Sequence, residues 1–195
     1  MEPFFTWNYL SLGMEPKFIV IPAAVVIAVI ALGSMSLLPQ NEPNIAQRES
    51  QAEAEIHKLV NLQRSEHGIE PLIYDRELGK IAKSHSLDMA KQDYFAHDTP
   101  NGVEPKDRAK NAGYDCKNYT SDQEVKDHGI KENLFISESK SPLISEQPKK
   151  IAQDAVEWWM SSQEYNSVIL DKSLNVDGIG VTWNQNKILV THNFC

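Results

Sequence analysis

The residues of this chain with the clearest chemical potential are histidines and carboxylates. Sets of these two residue types bind divalent metals or transfer protons in proteins, although the same residues also occur on inert surfaces. The candidates are His85, His97, His192, Glu132, Glu157 and Glu164.

His97 lies in the most informative stretch, Asp93–Pro100, which reads DYFAHDTP. The histidine comes just after an apolar-faced helix, behind two aromatic residues and ahead of a turn at Asn101-Gly102. At the rim of a folded core it can contact a ligand, a metal or a carboxylate. The alternative is a histidine that only caps the preceding helix.

Familiar catalytic motifs do not occur. The chain has no phosphate-binding glycine loop, no paired CxxC, no HExxH and no GxSxG. No serine or cysteine therefore lies in a motif that would activate it as a nucleophile.

The first 50 residues hold four acidic and two basic residues, which leaves 23 acidic and 17 basic residues, a net charge of −6, for the remainder. This acidic balance argues against a nucleic-acid partner.

Two helices precede His97. Ala52, Ile56 and Val60 share one face of the first, which ends at His67-Gly68, and its His57 and His67 are expected to face solvent. Asp75 is a good N-cap for the second. The apolar face of that helix includes His85, which is therefore expected to be a hydrogen-bonded core histidine.

The rest of the chain predicts short elements. We expect a helix over 104–112, a surface loop over 117–131, a brief extended segment over 132–136, a polar loop over 137–147, a helix after Pro148, and strands over 177–183 and 188–194. Of the adjacent Trp158 and Trp159, one should be in the core and the other at a groove or rim. Helices followed by a small terminal sheet predict an α+β or layered α/β/α fold.

Phe18–Leu38 contains no charged residue over 21 positions, about the length of a membrane-spanning helix. The expected organisation is a tail over 1–17, an anchor over 18–38, a linker over 39–50 and an extracellular domain over 51–195. Lys17 favours a cytoplasmic N-terminus. The alternative is a signal peptide cleaved near Ser34, followed by a secreted domain.

The only cysteines are Cys116 and Cys195. In an exported domain an even number of cysteines indicates a disulfide, and closing so long a loop is worth up to about 4 kcal/mol. The alternative is two free thiols.

A series of short motifs in a fixed order resembles the CAP superfamily of cysteine-rich secretory, antigen 5 and pathogenesis-related-one proteins, in its prokaryotic SCP-like branch. The resemblance covers Ala52 to Cys195. Its motifs are Asn61…Arg64, Leu78…Ala82…His85-Ser86-Leu87-Asp88-Met89-Ala90, Tyr94-Phe95-Ala96-His97, Arg108…Ala112-Gly113-Tyr114, Glu132-Asn133-Leu134, Trp159-Met160-Ser161-Ser162 and Gly178-Ile179-Gly180-Val181.

The resemblance implies a three-layer α-β-α sandwich with a central cleft, lined by two histidines and two acids that in some members hold a divalent cation such as zinc. His97 matches the first histidine, and Glu132 matches the acid of the Glu-Asn-Leu motif. Tyr165 stands where a second histidine is expected. A tyrosine with a pKa of about 10 is a poor zinc ligand, which puts a two-histidine metal site in doubt. Glu164 and His192 are further cleft candidates.

The resemblance also places an arginine at position 108. A buried arginine needs a carboxylate partner, which Glu132 or Asp88 would supply. Glu132 is therefore either a cleft acid or the partner in a scaffold ion pair.

Two functions are consistent with these features. The preferred one is a membrane-anchored extracellular binding module whose cleft holds a small apolar, peptide or cell-surface ligand. The alternative is a hydrolase, with or without a metal, in which His97 is the general base and Glu132 the orienting acid. The sequence leaves the oligomeric state open.

Overall fold

The computed structural model describes residues 44–119, 125–127, 129–138, 147–184 and 186–195, which belong to one compact unit, Pro43–Cys195. The expected tail and anchor, residues 1–38, lie outside the described residues. Within the described ranges, none of the helices combines the length and apolar character needed to cross a bilayer.

The described part contains five helices and six strands. In chain order they are α1 (Ile45–Glu66), β1 (Ile73–Tyr74), α2 (Arg76–Gln92), α3 (Pro105–Asn111), β2 (Lys117–Tyr119), β3 (Val125–Asp127), β4 (Lys131–Glu138), α4 (Pro148–Ser161), α5 (Gln163–Ile169), β5 (Val176–Asn184) and β6 (Lys187–Phe194).

Helix α1 begins earlier than expected. Asn44 and Gln47 form a capping box in which each side chain accepts a hydrogen bond from the backbone N–H of the other residue. Residues 45–50, assigned to the linker from their polar composition, are therefore helical. At the other end the C-cap is His67, followed by Gly68 in the left-handed conformation at φ +66°, as the sequence predicts.

Helix α2 follows its predicted pattern. The carboxylate of Asp75 accepts hydrogen bonds from the backbone of Glu77 and Leu78. Its buried face includes the residues predicted for it, Leu78, Ile81, Ala82, His85 and Met89. Asp93 ends the helix with φ +55°, which turns the chain into the loop that contains His97.

Four strands form a mixed sheet in the order β1-β5-β6-β4, in which only β1–β5 is parallel. The predicted terminal hairpin is confirmed, but Asn184 pairs with Lys187, so the turn is two residues shorter than expected. The prediction of a surface loop over 117–131 is wrong in part. Strands β2 and β3 pair as a second, antiparallel sheet, and β4 begins at Lys131. Backbone pairing joins β2 and β3 within a segment whose sequence is mostly polar.

The sheet is covered on both faces. On one face, two glycines of β5 let α2 approach the sheet closely. A Cβ on Gly178 would lie 2.2 Å from the backbone nitrogen of Gly79, and a Cβ on Gly180 would lie 2.1 Å from the backbone nitrogen of Lys83. On the other face α1 and α4 enclose the main core, where Trp159 is buried and donates to the carbonyl of Leu134. Trp158, by contrast, is 55% exposed. The three-layer arrangement expected from the sequence is present.

The predicted disulfide is also present. Cys116 and Cys195 are bonded, with their Cα atoms 5.5 Å apart, and the bridge ties the last residue of the chain to the segment after α3. A disulfide in this position is typical of a protein folded in an oxidising compartment.

Candidate functional site

Glu132 on β4 is the centre of a charged cluster at the α2 face of the sheet. Its side chain is 1% exposed, yet both carboxylate oxygens are hydrogen-bonded. Oε1 accepts from Nδ1 of His97 at 2.8 Å, and Oε2 accepts from Nη2 of Arg108 at 2.6 Å. Of the two carboxylates that the sequence offers as partners of Arg108, the structure selects Glu132. Asp88 is instead bound by the hydroxyl of Tyr94 and the amide of Gln92.

Two buried side chains hold the loop that carries His97. Nε2 of His85 donates to the carbonyl of Ala96 at 3.0 Å, and Nη1 of Arg108 donates to the carbonyl of His97 itself at 2.7 Å. Arg108 also donates to the carbonyl of Val103, on the far side of the loop. His85 is thus in the core, as expected, and it acts there through the backbone next to His97. The loop is positioned before any ligand arrives.

The pKa values of the two histidines in this cluster are shifted in opposite directions. The hydrogen bond to Glu132 raises the pKa of His97, whose side chain is 44% exposed. Burial lowers the pKa of His85, although Glu132 lies 3.9 Å from its Nε2. A carboxylate only accepts, so Nδ1 of His97 carries a proton. The other nitrogen, Nε2, makes no hydrogen bond within the described part of the chain, and it can serve a ligand.

Two cavities adjoin the cluster along α2, and they share Ser84 and Arg108. One has a volume of about 400 Å³ and the other of about 570 Å³. The smaller is lined by Ser84, His85, Leu87, Asp88, Lys91, Gln92, Thr99, Asn101, Val103 and Arg108. Its wall therefore combines apolar side chains, amides, hydroxyls and charges of both signs.

The remaining cleft candidates are not brought into the cluster by any described contact. Tyr165 lies at the start of α5, where its backbone carbonyl accepts from the amide of Asn133, the residue after Glu132. Glu164 is exposed in the first turn of the same helix. Neither side chain forms a described hydrogen bond with His97 or Glu132.

His192 lies on the opposite face of the sheet. In the pairing of β6 with β4, His192 lies opposite Asn133 and Asn193 lies opposite Glu132. Paired residues point to the same face of the sheet and successive residues of a strand to opposite faces, so His192 points away from the face of Glu132. His192 is fully buried, and its Nε2 donates to Oδ2 of Asp177 at 2.9 Å. It therefore belongs to a second cluster and not to that of His97.

The third member of this second cluster is His57 of α1. Its Nδ1 lies 2.9 and 3.0 Å from the two carboxylate oxygens of Asp177. The expectation that His57 faces solvent is wrong, since its side chain is only 25% exposed. The helical spacing placed it beside the buried face of α1, but its partner lies 120 positions away and could not be identified from the sequence. The one feature of the sequence that could have indicated this partner was Asp177, an acidic residue at the start of an otherwise apolar strand.

A divalent cation does not fit the first cluster. Both oxygens of Glu132 are occupied, and one of them contacts the guanidinium of Arg108, whose charge would repel a metal ion. The resemblance implies a second histidine at position 165, and this chain has a tyrosine there. Among the described residues, no three histidine, cysteine or acidic side chains are arranged so that they could hold a metal ion.

The model of the cysteine-rich secretory protein (CAP) family matches residues 57–194 of this chain. Among curated proteins, the uncharacterized protein YkwD of Bacillus subtilis is 27% identical over 128 residues, which are 66% of this chain and 41% of YkwD. The uncharacterized membrane protein YlbC of the same organism is 25% identical over 133 residues, 68% of this chain and 32% of YlbC. The chain thus spans about two fifths or less of these relatives.

Solved structures share the fold. An extracellular protein containing a SCP domain from Bacillus anthracis superposes with a TM-score of 0.58 at 23% identity, over 79% of this chain and 44% of that one. An outer surface protein from Borrelia burgdorferi superposes with a TM-score of 0.53 at 15% identity, over 73% and 91% of the two chains.

Proposed function

Because the chain belongs to the cysteine-rich secretory protein (CAP) family, we propose that it is a membrane-anchored extracellular binding module. The uncharged segment Phe18–Leu38 supports the anchor, and the disulfide between Cys116 and Cys195 supports an oxidising compartment. Two of the similar proteins are named as an extracellular protein and a membrane protein, which agrees with this location.

The observation that carries the binding role is the structural use of Glu132. Its carboxylate accepts from both His97 and Arg108, so it stabilises the loop of His97 and its charge is already balanced by the guanidinium. The cluster therefore acts as a rigid frame. Two side chains that hold the His97 loop, His85 and Arg108, also line the 400 Å³ cavity, and Nε2 of His97 is left without a hydrogen bond in the described part of the chain; this combination supports a recognition site.

The wall of the 400 Å³ cavity indicates the type of ligand. Leu87 and Val103 supply apolar surface, while Thr99 and Asn101 supply hydrogen-bonding groups and Lys91 a positive charge. This mixture suits a peptide or another polar component of a cell surface better than a wholly apolar molecule. The proposed ligand is a peptide segment that bonds to Nε2 of His97 and extends into this cavity.

A selection experiment tests the proposal. Full-length protein in detergent micelles is panned against a library of random heptapeptides, and selected peptides are measured by calorimetry with wild type, His97→Ala and His67→Ala. His67 is exposed at the end of α1 and serves as the matched control. Affinity should fall about tenfold or more in His97→Ala, the loss of one good hydrogen bond, and stay unchanged in His67→Ala. Failure to enrich any peptide above an unrelated protein would contradict the proposal.

A hydrolase is the second candidate, because the pair of His97 and Glu132 has the geometry of an oriented general base. Both cysteines are in the disulfide, and no described serine is hydrogen-bonded to His97, so the base would have to act on water. Turnover of a fluorogenic casein substrate that is lost in His97→Ala and rises with pH through the titration of His97 would favour this function over simple binding.

A further inference from the structure

Asn61 of α1 holds the chain where it enters β1. Its side-chain Oδ1 accepts from the backbone N–H of Leu72 at 2.7 Å, and its Nδ2 donates to the carbonyl of the same residue at 3.0 Å. Leu72 is buried, so these backbone groups have no water to replace Asn61. This pair of bonds fixes which end of the Asn61 amide is nitrogen.

The same amide nitrogen lies 3.2 Å from Nε2 of His57. Since the nitrogen can only donate, Nε2 must be the acceptor, and the ring proton of His57 is on Nδ1, where it is donated to Asp177. The arrangement therefore requires a neutral His57. A protonated ring would carry N–H groups on both nitrogens, and Nε2–H would then face the N–H of Asn61.

We propose that His57 and Asn61 form a pH-sensitive latch on the segment that leads into β1, and that protonation of His57 releases Asn61 from Leu72. For Asn61 to accept from the protonated ring, its oxygen must turn toward His57. That rotation withdraws Oδ1 from the N–H of Leu72 and Nδ2 from its carbonyl. Protonation of His57 therefore excludes the bond from Nδ2 of Asn61 to Nε2, and an amide that turns to accept from the ring gives up its bonds to Leu72.

The neighbouring elements place charged and titratable groups around His57, some in contact with it and others acting on its partners. Asp177 of β5 binds it directly, and His192 of β6 shares that carboxylate. The ring of Tyr74 of β1 contacts it edge-on at 5.6 Å. From α1 itself, Arg64 acts on Asp177 and Glu53 on Tyr74. Burial lowers the pKa of His192, whose Nδ1 has no hydrogen-bond partner in the described part of the chain. His57 is therefore the member of the cluster that accepts a proton first.

The contact with Asp177 shifts the titration of His57. The hydrogen bond to Asp177 raises the pKa of His57 above its usual 6.5, which outweighs the opposing effect of burial. Burial works against the charge of Asp177, but the hydrogen bonds from His192 and His57 prevail and lower the pKa of its carboxyl. The latch should thus be closed when the pH is above the raised pKa of His57 and should open as the pH falls through that value.

Strand β1 is the element that the latch would release. It consists of two residues, Ile73 and Tyr74, which pair with Val176 and Asp177 at the edge of the sheet. Ile73 is 70% exposed, so burial of its own side chain does little to hold the strand in place. When Asn61 releases Leu72, the buried side chain of Leu72 stays in the core, but the backbone at the start of the strand loses its two hydrogen bonds to Asn61.

Hydrogen exchange of full-length protein in micelles tests the latch. The protection factor of the Leu72 amide, which corrects for the intrinsic effect of pH, is followed from about pH 8 to about pH 5 together with the His57 imidazole shift. Protection at Leu72 should fall about tenfold or more in step with His57, which corresponds to one unit of pKa coupling. The amide of Ala82, in the middle of α2, should show no such step.

Variants separate the latch from general destabilisation. The step should vanish in His57→Gln and persist in the control His67→Gln. In Asn61→Ala, loss of the hydrogen bond to the neutral ring should raise the proton affinity of His57 about tenfold. A flat Leu72 protection factor across the titration, a step that persists in His57→Gln, or an unchanged His57 titration in Asn61→Ala would each overturn the proposal.

Discussion

Arg108 and Glu132 form an ion pair of 2.6 Å that is almost completely removed from water, with side chains that are 10% and 1% exposed. Arg108 uses its other terminal nitrogen to hold the carbonyls of His97 and Val103. One side chain therefore neutralises the buried carboxylate and shapes the loop that presents His97. Under the proposed function, the residue that stabilises the buried carboxylate would also position the loop used for recognition.

Replacing Arg108 by methionine should destabilise the protein strongly. The substitution leaves the carboxylate of Glu132 buried beside a group that cannot neutralise it, which typically costs about 3–5 kcal/mol. Urea denaturation measures the free energy of unfolding. Arg76→Met, at an exposed position that begins α2, is the control and should change it by less than about 0.5 kcal/mol. Equal effects of the two substitutions would show that the buried pair contributes no special stability.

The titration of His97 should depend on Glu132. The hydrogen bond to Glu132 raises the pKa of His97 in the folded protein, so the pair contributes stability that is fully present below the unfolded pKa of about 6.5. That contribution is lost as the pH rises through the raised folded value. In Glu132→Gln the pKa of His97 should fall back toward its ordinary value, as followed by imidazole NMR. His67 provides the internal control, and a His97 titration that does not move would refute this relationship.

Arg64 should be essential for the scaffold. It is completely buried in α1, and its guanidinium donates to four backbone carbonyls, those of Glu70, Ile169, Asp171 and Leu174. Lysine has one nitrogen and cannot reach all four, so Arg64→Lys should cost about 3 kcal/mol of stability. Thermal unfolding measures the loss. Lys80→Met, which removes only an exposed pair with Glu77, should leave the melting temperature nearly unchanged.

Gly180 should not tolerate a side chain. A Cβ there would lie 2.1 Å from the backbone nitrogen of Lys83, so Gly180→Ala forces α2 away from the sheet and should cost about 3 kcal/mol. Gly68→Ala is the comparison, because that position is sterically open but has a positive φ and should cost only about 1 kcal/mol. The two unfolding free energies test the difference, and similar values would mean that α2 can shift without penalty.

Much of the local structure could be predicted from the sequence, because it depends on neighbours a few residues apart. The cap at Asp75 and the end of α1 at His67-Gly68 follow from spacing along the chain. The β2–β3 pairing could not be predicted, since backbone hydrogen bonds form it and its side chains give no alternating pattern. His97 and Glu132 were identified together only through the family resemblance.

The sequence by itself predicted the family, the layered fold and the disulfide, since each depends on local patterns or on motifs in order, and it offered His97 and Glu132 as candidate site residues. Only the tertiary structure decided which histidines share a site. His192 was a candidate for the same site as His97, but a strand alternates its side chains between two faces, and the pairing register places His192 with Asn133 and away from Glu132. The register joins residues far apart in the chain, which is why His192 instead shares Asp177 with His57.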